Sequence, residues 1–231
     1  MSETGSNLDE IVSAVAAARK YRSVCKETLY RIAERELANY PNLKAATKAT
    51  KRRLHQVYGA FEQDWDYDTA YLQLEGAYRQ GTAPGIKAAC RQVMESHSST
   101  RERLPILDRF YPAIFEITGQ PTSLLDAGCG LNPLALPWMD LPEGARYVPL
   151  DIDAARIDFL NRYLALAGQE PLARCQDILS HPPDDRADVA LLLKMSPTLE
   201  RQGSGATLRP VSYTHLTLPT TIKPGGGGGG G

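Results

Sequence analysis

The first third of the 231-residue chain carries apolar residues at the spacing of amphipathic helices. Over residues 8–78 apolar side chains recur every three or four positions, and polar turn formers interrupt the repeat near 40–42 and 62–64. An interrupted repeat of this kind predicts a small bundle of helices. Two more helices are predicted at Ile86–Glu95 and Thr100–Ile117.

After Gly119 the pattern changes to short apolar runs rich in β-forming residues, which alternate with helical segments. Such alternation is typical of an α/β fold built on a mostly parallel sheet. The predicted strands are Ser123–Leu125, Arg146–Leu150, Leu172–Cys175 and Ala187–Leu193, with a helix at Ala154–Ala167 between the second and third. We therefore predict a doubly wound, Rossmann-like sheet preceded by an all-helical N-terminal domain.

The division into domains is predicted from composition. Glycine and proline gather at residues 80–85, which favours a linker between a helical domain at 1–80 and the sheet domain at 81–210. Residues 211–221 resemble translated sequencing-adapter read-through. Seven glycines close the chain soon after them, for which a flexible linker is an alternative interpretation. We expect the tail at 211–231 to be foreign to the domain and disordered, and the sheet to lack its last strands.

Charge is concentrated in the helical part of the chain. The whole chain has a net charge of −1, but residues 11–60 hold eleven lysines and arginines against three glutamates, a net charge of +8. Clustered cations of this kind favour a polyanionic partner, although a solvated helical face is an alternative. The residues predicted to bind RNA are Lys20, Arg22, Lys48, Lys51, Arg52 and Arg53.

Several classes of protein are disfavoured. The chain has no apolar run of about 18 residues that could span a bilayer, and its N-terminus lacks the features of a secretory signal. Its four cysteines lie far apart, without a C-x-x-C pair, so we expect reduced thiols and no metal centre. We expect a cytoplasmic monomer.

The segment Asp126–Pro133 directly follows the first predicted strand and has the sequence Asp-Ala-Gly-Cys-Gly-Leu-Asn-Pro. A strand that runs through a glycine turn into a helix lets the backbone approach a nucleotide-like cofactor. The third glycine of the dinucleotide fingerprint G-x-G-x-x-G is replaced by Pro133. This replacement disfavours NAD and favours S-adenosylmethionine.

Polar residues follow the ends of the other predicted strands, where parallel sheets bind their ligands. Asp151 lies 21 positions after Gly130 and could accept hydrogen bonds from a ribose diol, although a turn or helix-capping aspartate is an alternative. Gln176 and Asp177 end the third strand, where a carboxylate could meet an adenine amino group. Lys194 follows the fourth strand and is predicted to lie at the substrate end, with a solvated lysine as the alternative.

An arginine before the first strand could bind the carboxylate of a methionine moiety through its planar guanidinium. We favour Arg103 over Arg101, although Ser98–Arg101 could simply cap a helix. His97 is more often structural than a ligand in such a position, and Trp138 is predicted to lie in the core.

Together these motifs resemble the aminoglycoside-resistance 16S rRNA methyltransferases over about residues 10–205. The matching segments are Lys20–Arg22, Arg53–His55, Ser99–Leu104, Asp126–Leu136 and Leu193–Lys194. The resemblance implies methyl transfer from S-adenosylmethionine to N7 of guanine 1405 in the assembled small ribosomal subunit, with the basic helical domain docked on rRNA. The predicted cofactor-binding residues are Arg103, Asp126, Gly128, Asp151, Gln176 and Asp177, and Lys194 is the catalytic candidate.

Members of that family continue with further strands after the fourth, where this chain has its unrelated tail. A non-catalytic rRNA-binding fragment and another S-adenosylmethionine-dependent rRNA methyltransferase therefore remain alternatives. A nicotinamide-dependent Rossmann enzyme is a third alternative, which Pro133 disfavours.

Overall fold

The computed structural model describes residues 3–59 and 65–193. Its helices are α1 (Glu3–Ala16), α2 (Lys26–Asn39), α3 (Leu43–Leu54), α4 (Tyr67–Gln80), α5 (Ala83–Glu95), α6 (Ser98–Arg101), α7 (Leu107–Thr118), α8 (Leu136–Met139) and α9 (Ala154–Leu166). Its strands are β1 (Ser123–Ala127), β2 (Arg146–Asp151), β3 (Arg174–Cys175) and β4 (Val189–Leu191). Short 3₁₀ turns at Arg19–Tyr21, Leu104–Ile106 and Asn132–Ala135 and a π-helical turn at His55–Gly59 join these elements.

The described strands form one sheet in the order β3-β2-β1-β4, and every neighbouring pair is parallel. In this register Leu125 of β1 lies between Val148 of β2 and Ala190 of β4. The chain winds outwards from β1 in both directions, as in doubly wound α/β proteins. The predicted fold, a Rossmann-like parallel sheet with a helical N-terminal part, is confirmed.

Both faces of the sheet are covered, which explains why its strands have continuous rather than alternating apolar sequences. Leu124 and Tyr147 face a large core shared with α4, α5, α7 and α9. Leu125, Val148 and Leu150 face a smaller cluster on the opposite side.

The sequence predicts one continuous helix at Thr100–Ile117, and this prediction is wrong. The structure divides this segment into α6, the 3₁₀ turn Leu104–Ile106 and α7. Pro105 explains the break, because it lacks a backbone N–H and restricts the residue before it. The third and fourth strands are also shorter than predicted.

The packing of α4 bears on the predicted boundary between the helical domain at 1–80 and the sheet domain at 81–210. Ala70 and Leu74 of α4 are buried in the core of the sheet domain. The predicted linker is a tight turn, in which Gly81 caps α4 at φ +70° and α5 begins two residues later. From this packing we propose that the N-terminal module comprises α1–α3 and ends between residues 59 and 65.

The N-terminal module has its own apolar core, formed by α1, α2 and α3. It is attached to the sheet domain just after β2: Cys25 N–H donates to the Ile152 carbonyl at 2.8 Å, and Ala154 N–H donates to the Ser23 carbonyl at 2.8 Å. The Ile152 side chain packs against the core of the module. The module is therefore fixed beside the carboxyl edge of the sheet.

Three predicted features lie outside the described residues: the helix break at 62–64, Lys194 and the tail at 211–231. Among residues 3–59 and 65–193, no helix combines the length and apolarity needed to cross a membrane. The same residues contain no group of three or more histidine, cysteine, aspartate or glutamate side chains arranged to hold a metal ion.

Candidate active site

The glycine turn after β1 has the backbone conformation that its sequence predicts. Gly128 and Gly130 adopt φ values of +65° and +54°, which disfavour residues with a side chain. Cys129 N–H donates to the Leu150 carbonyl at 2.9 Å, so the turn is held against β2. A Cβ atom on Gly130 would lie 2.9 Å from Cε1 of His97, so the imidazole ring packs directly against the turn.

A buried hydrogen-bond network lies beside the turn. Asp126 is fully buried, and its Oδ2 accepts from Asn132 Nδ2 at 2.9 Å and from the Tyr147 hydroxyl at 2.7 Å. Oδ1 of Asn132 in turn accepts from Arg103 Nη2 at 3.0 Å and from the Tyr111 hydroxyl at 2.7 Å. Asn132 therefore connects the predicted arginine to the predicted aspartate, and nothing in the sequence analysis assigned it this role.

Asp126 is unusual in its electrostatics. Burial raises its pKa to about 6, although the hydrogen bonds from Asn132 and Tyr147 and the charge of Arg103 favour the ionised form. Its Oδ1 atom is buried and has no hydrogen-bond partner among the residues that the structure describes. A buried acceptor without a donor is costly, so this atom suits a ligand that brings an N–H or a positive charge.

Asp151 is already extensively hydrogen-bonded. Its Oδ2 accepts from Gly130 N–H at 2.9 Å, and its Oδ1 accepts from Asp153 N–H at 3.1 Å and from Arg156 Nη1 at 3.0 Å. A carboxylate offers about four acceptor positions. About one acceptor position of Asp151 is therefore left for a ribose hydroxyl. Hydrogen bonds from both hydroxyls of the ribose would need two.

Arg156 was missed by the sequence analysis. It is buried between Asp151 at 3.0 Å and Asp153 at 3.5 Å. Burial alone lowers the pKa of Arg156, but the two carboxylates together with nearby tyrosines outweigh it and raise that pKa. The spacing Asp153-x-x-Arg156 at the start of a helix is a signal that could have indicated this pair.

Asp177 contacts the N-terminal module. Its Oδ2 accepts from the Thr28 hydroxyl and from Nε and Nη2 of Arg31, each at 2.8 Å, while its Oδ1 accepts from Leu179 N–H at 2.9 Å. Asp177 is only 2 % exposed. Asp177 follows β3, and its main hydrogen-bond partners are Thr28 and Arg31 of α2.

Gln176, the other residue predicted at this strand end, is held within the sheet domain. Its backbone N–H donates to the Asp151 carbonyl at 2.9 Å, and its side chain donates to the His181 carbonyl at 2.7 Å. Hydrogen bonds therefore connect Gly130, Asp151 and Gln176, and a second network connects Arg103 through Asn132 to Asp126.

The two basic clusters of the N-terminal module lie next to each other. The Tyr21 hydroxyl donates to the Lys51 carbonyl at 3.1 Å, and Lys20 Nζ lies 3.0 Å from His55 Nδ1. Arg22, Lys48 and Arg52 are exposed, whereas Lys20, Lys51 and Arg53 are half-buried. The side chains predicted to bind RNA are therefore brought together from the segment before α2 and from α3.

Comparison with known proteins gives consistent matches along the chain. A family described as "Ribosomal RNA methyltransferase (FmrO)" matches residues 17–218. The 16S rRNA (guanine(1405)-N(7))-methyltransferase of Micromonospora echinospora is 41% identical over 92% of this chain and 81% of the relative. The protein of the same name from Micromonospora rosea is 39% identical over the same shares of both chains.

Solved structures show the same similarity. The 16S rRNA methylase RmtB superposes with a TM-score of 0.76 at 28% identity, over 90% of this chain and 80% of that one. The 16S rRNA methyltransferase RmtF, in complex with S-adenosyl-L-homocysteine, gives a TM-score of 0.73 at 30% identity, over 92% of this chain and 77% of that one.

Proposed function

Because the chain belongs to the FmrO family of ribosomal RNA methyltransferases, we propose that it transfers a methyl group from S-adenosylmethionine to N7 of guanine 1405 in 16S rRNA. The observation that carries this proposal is the match to two guanine-1405 N7 methyltransferases, of which the chain spans 81%. Methylation at this position of the decoding site would confer aminoglycoside resistance.

The residues around the glycine turn fit S-adenosylmethionine, which supplies an electrophilic methyl group on sulfur when it is bound. We propose that Gly128 admits the cofactor close to the backbone and that Asp151 accepts from one ribose hydroxyl. Arg103 would bind the carboxylate, and Oδ1 of Asp126, which has no donor among the described residues, suits the amino group. The remaining acceptor capacity of Asp177 lies on Oδ1, where an adenine amino group could donate.

The proposed reaction does not require the protein to act as a general base. Guanine N7 carries an in-plane lone pair, so no general base has to remove a proton before the attack. Alignment of the reacting groups can lower the activation barrier by about 7–11 kcal/mol. The network from Arg103 through Asn132 to Asp126 is suited to this task, because each of its side chains is buried and held by hydrogen bonds.

Binding of the ribosome is assigned to the N-terminal module. We propose that its basic side chains contact phosphates of 16S rRNA in the assembled small subunit, and that the protein acts there as a cytoplasmic monomer. Lys194, outside the described residues, remains our candidate at the substrate end of the site.

The proposal is tested by a matched pair of arginine variants. Arg103→Lys replaces a buried guanidinium, the group that can donate two parallel hydrogen bonds to a carboxylate, whereas Arg101→Lys changes an exposed arginine two residues away. We expect Arg103→Lys to weaken binding of S-adenosylhomocysteine about ten- to hundredfold, as the loss of one charge-assisted hydrogen bond implies. Calorimetry with S-adenosylhomocysteine, and tritium transfer to purified small subunits, measure the effect.

Arg101→Lys should match the parent in both assays. Equal cofactor affinity in the two variants would show that Arg103 does not bind the cofactor. Tight binding of NAD in place of S-adenosylhomocysteine, or no methyl transfer to small subunits, would contradict the proposed function itself.

A further inference from the structure

A polar groove lies between the C-terminal halves of α2 and α3, on the N-terminal module and apart from the glycine turn. Its volume is about 620 Å³, within the range of sites that hold small organic molecules. The residues that line it are Arg35, Glu36, Asn39, Tyr40, Ala49, Arg52, Arg53 and Gln56.

Hydrogen bonds hold the walls of this groove in place. Arg52 Nη2 donates to the Tyr40 hydroxyl at 2.8 Å, which joins the end of α2 to α3. Arg53 Nε lies 3.5 Å from Oε1 of the buried Glu36, so the one carboxylate in the lining is neutralised from across the groove. Ala49 is 3 % exposed and forms part of the floor.

The lining has the composition of a site for single-stranded RNA. The exposed Arg35 and Arg52 can pair with phosphates, whereas Arg53 is engaged by Glu36. The Tyr40 ring is half-buried against the core of the module, and its remaining exposed surface can stack with a base. Asn39 Nδ2 donates to the Arg35 carbonyl at 2.7 Å, and Gln56 Oε1 accepts from Arg53 Nη1 at 3.4 Å. Oδ1 of Asn39 and the Nε2 donors of Gln56 are the groups that can pair with the edge of a base. An acidic peptide would use the guanidinium groups but neither the ring nor the paired amides, so the lining favours RNA over protein.

The groove is continuous with the candidate active site through α2. Arg31, whose guanidinium binds Asp177 at the sheet edge, and Arg35, which lines the groove, lie four residues apart and therefore on the same side of the helix. One turn of helix, about 5.4 Å, separates them along the axis. An RNA strand that reaches the sheet edge can thus extend into the groove.

We propose that this groove binds one unpaired nucleotide of the rRNA, with its base against Tyr40 and its phosphate on Arg35 and Arg52. The identity of the polyanion rests on the proposed function, but the selection of an unpaired nucleotide rests on the groove alone. The groove would thereby recognise the local shape of the RNA as well as its charge.

The test compares two fluorescein-labelled RNA hairpins with the same closing loop, a paired hairpin whose stem has no unpaired nucleotide and a bulged hairpin whose stem carries a single bulged nucleotide. Fluorescence anisotropy with the full chain should show tighter binding of the bulged hairpin. Tyr40→Ala should lower affinity for the bulged hairpin about five- to hundredfold, the range for loss of one stacked base, and leave the paired hairpin unchanged.

Two variants serve as controls. Tyr40→Phe keeps the ring and should keep the preference, although it loses the hydroxyl that accepts from Arg52. Tyr30→Ala removes an exposed tyrosine of α2 that lies outside the groove and should bind both hairpins as the parent does. Circular dichroism of each variant checks its fold.

A second measurement needs no variant. A bulged 4-thiouridine, irradiated in complex with the parent chain, should crosslink to peptides that contain residues 35–40 or 49–56. Crosslinks elsewhere, equal affinity of the parent for both hairpins, or an equal loss for both in Tyr40→Ala would each overturn the proposal. A chain that passes these tests but transfers no methyl group would contradict the proposed function and leave the groove assignment intact.

Discussion

At the scale of single residues, the titration of Asp126 gives the sharpest expectation. Burial raises its pKa from an ordinary 3.8 to about 6. Between these pH values the folded state holds a proton that the unfolded state has released, so the group favours folding at low pH and loses this contribution as the pH rises towards 6.

Asp126→Asn can still accept hydrogen bonds from Asn132 and Tyr147 but does not titrate. We expect its stability relative to the parent to improve by about 2–3 kcal/mol between about pH 4 and pH 7. Urea denaturation at a series of pH values measures this difference. A flat difference for Asp126→Asn would mean that the pKa of Asp126 is ordinary.

The sequence located several candidate site residues but not their partners. Glycine turns and strand ends are local signals, so Asp126, Gly128 and Asp151 could be assigned from short segments. The donors to Asp177 lie on Thr28 and Arg31, 149 and 146 residues away, and only the packing of two domains brings them together. The functional roles of these residues stay predictions until binding is measured.

At the scale of elements, the glycine turn is expected to tolerate no side chain. Gly130→Ala combines a left-handed backbone with a Cβ atom 2.9 Å from His97, whereas Gly144→Ala has a similar φ of +76° but open space around the new methyl group. Both substitutions should cost about 1–2 kcal/mol for the backbone, and Gly130→Ala should cost more.

Thermal or chemical denaturation of the two glycine variants measures the excess. Adding His97→Ala to Gly130→Ala should recover part of it, because the contact with the ring is then removed. Equal destabilisation of Gly130→Ala and Gly144→Ala would show that His97 moves aside without cost.

The contact between α2 and the sheet edge is a second testable element. Arg31 and Thr28 supply most of the hydrogen bonds to the buried carboxylate of Asp177. A double-mutant cycle with Arg31→Ala and Asp177→Asn should give a coupling energy of about 0.5–3 kcal/mol. Lys26→Ala, an exposed change on the same helix, should show no coupling to Asp177→Asn, and additive effects of Arg31→Ala would contradict the interdomain ion pair.

The elements differ in how well the sequence predicts them. Periodicity and β-rich runs were enough for the parallel sheet and for α9, because these patterns are local and strong. The burial of Ala70 and Leu74 of α4 in the large core was not predictable, since an amphipathic helix shows that it has an apolar face but not which core buries that face. The helix break could have been predicted from Pro105, but the helical spacing of the apolar residues around it favoured one continuous helix.

At the scale of the whole molecule, the clustered basic residues and the candidate cofactor site lie in different parts of the protein. The basic clusters lie in the segment before α2 and on α3, and the glycine turn follows β1 of the sheet. Replacing Lys51, Arg52 and Arg53 by alanine should flatten the salt dependence of small-subunit binding by about 0.7–0.9 in slope for each lost phosphate contact. Cofactor affinity should not change.

A matched triple variant keeps this test specific. Arg79, Arg109 and Arg186 are exposed arginines of the sheet domain, and their replacement by alanine removes the same charge. This variant should leave the salt slope near that of the parent. Equal slopes for the two triple variants would mean that the N-terminal module is not the main contact with rRNA.

The most direct test of the account is to map the methylated atom. Small ribosomal subunits are incubated with the protein and S-adenosylmethionine, and their 16S rRNA is treated with borohydride and aniline, which cleave at N7-methylguanine, before primer extension. We predict one new stop at guanine 1405 that depends on the cofactor. Labelled methyl groups found at any other base or atom, or no cleavage at guanine 1405, would contradict it.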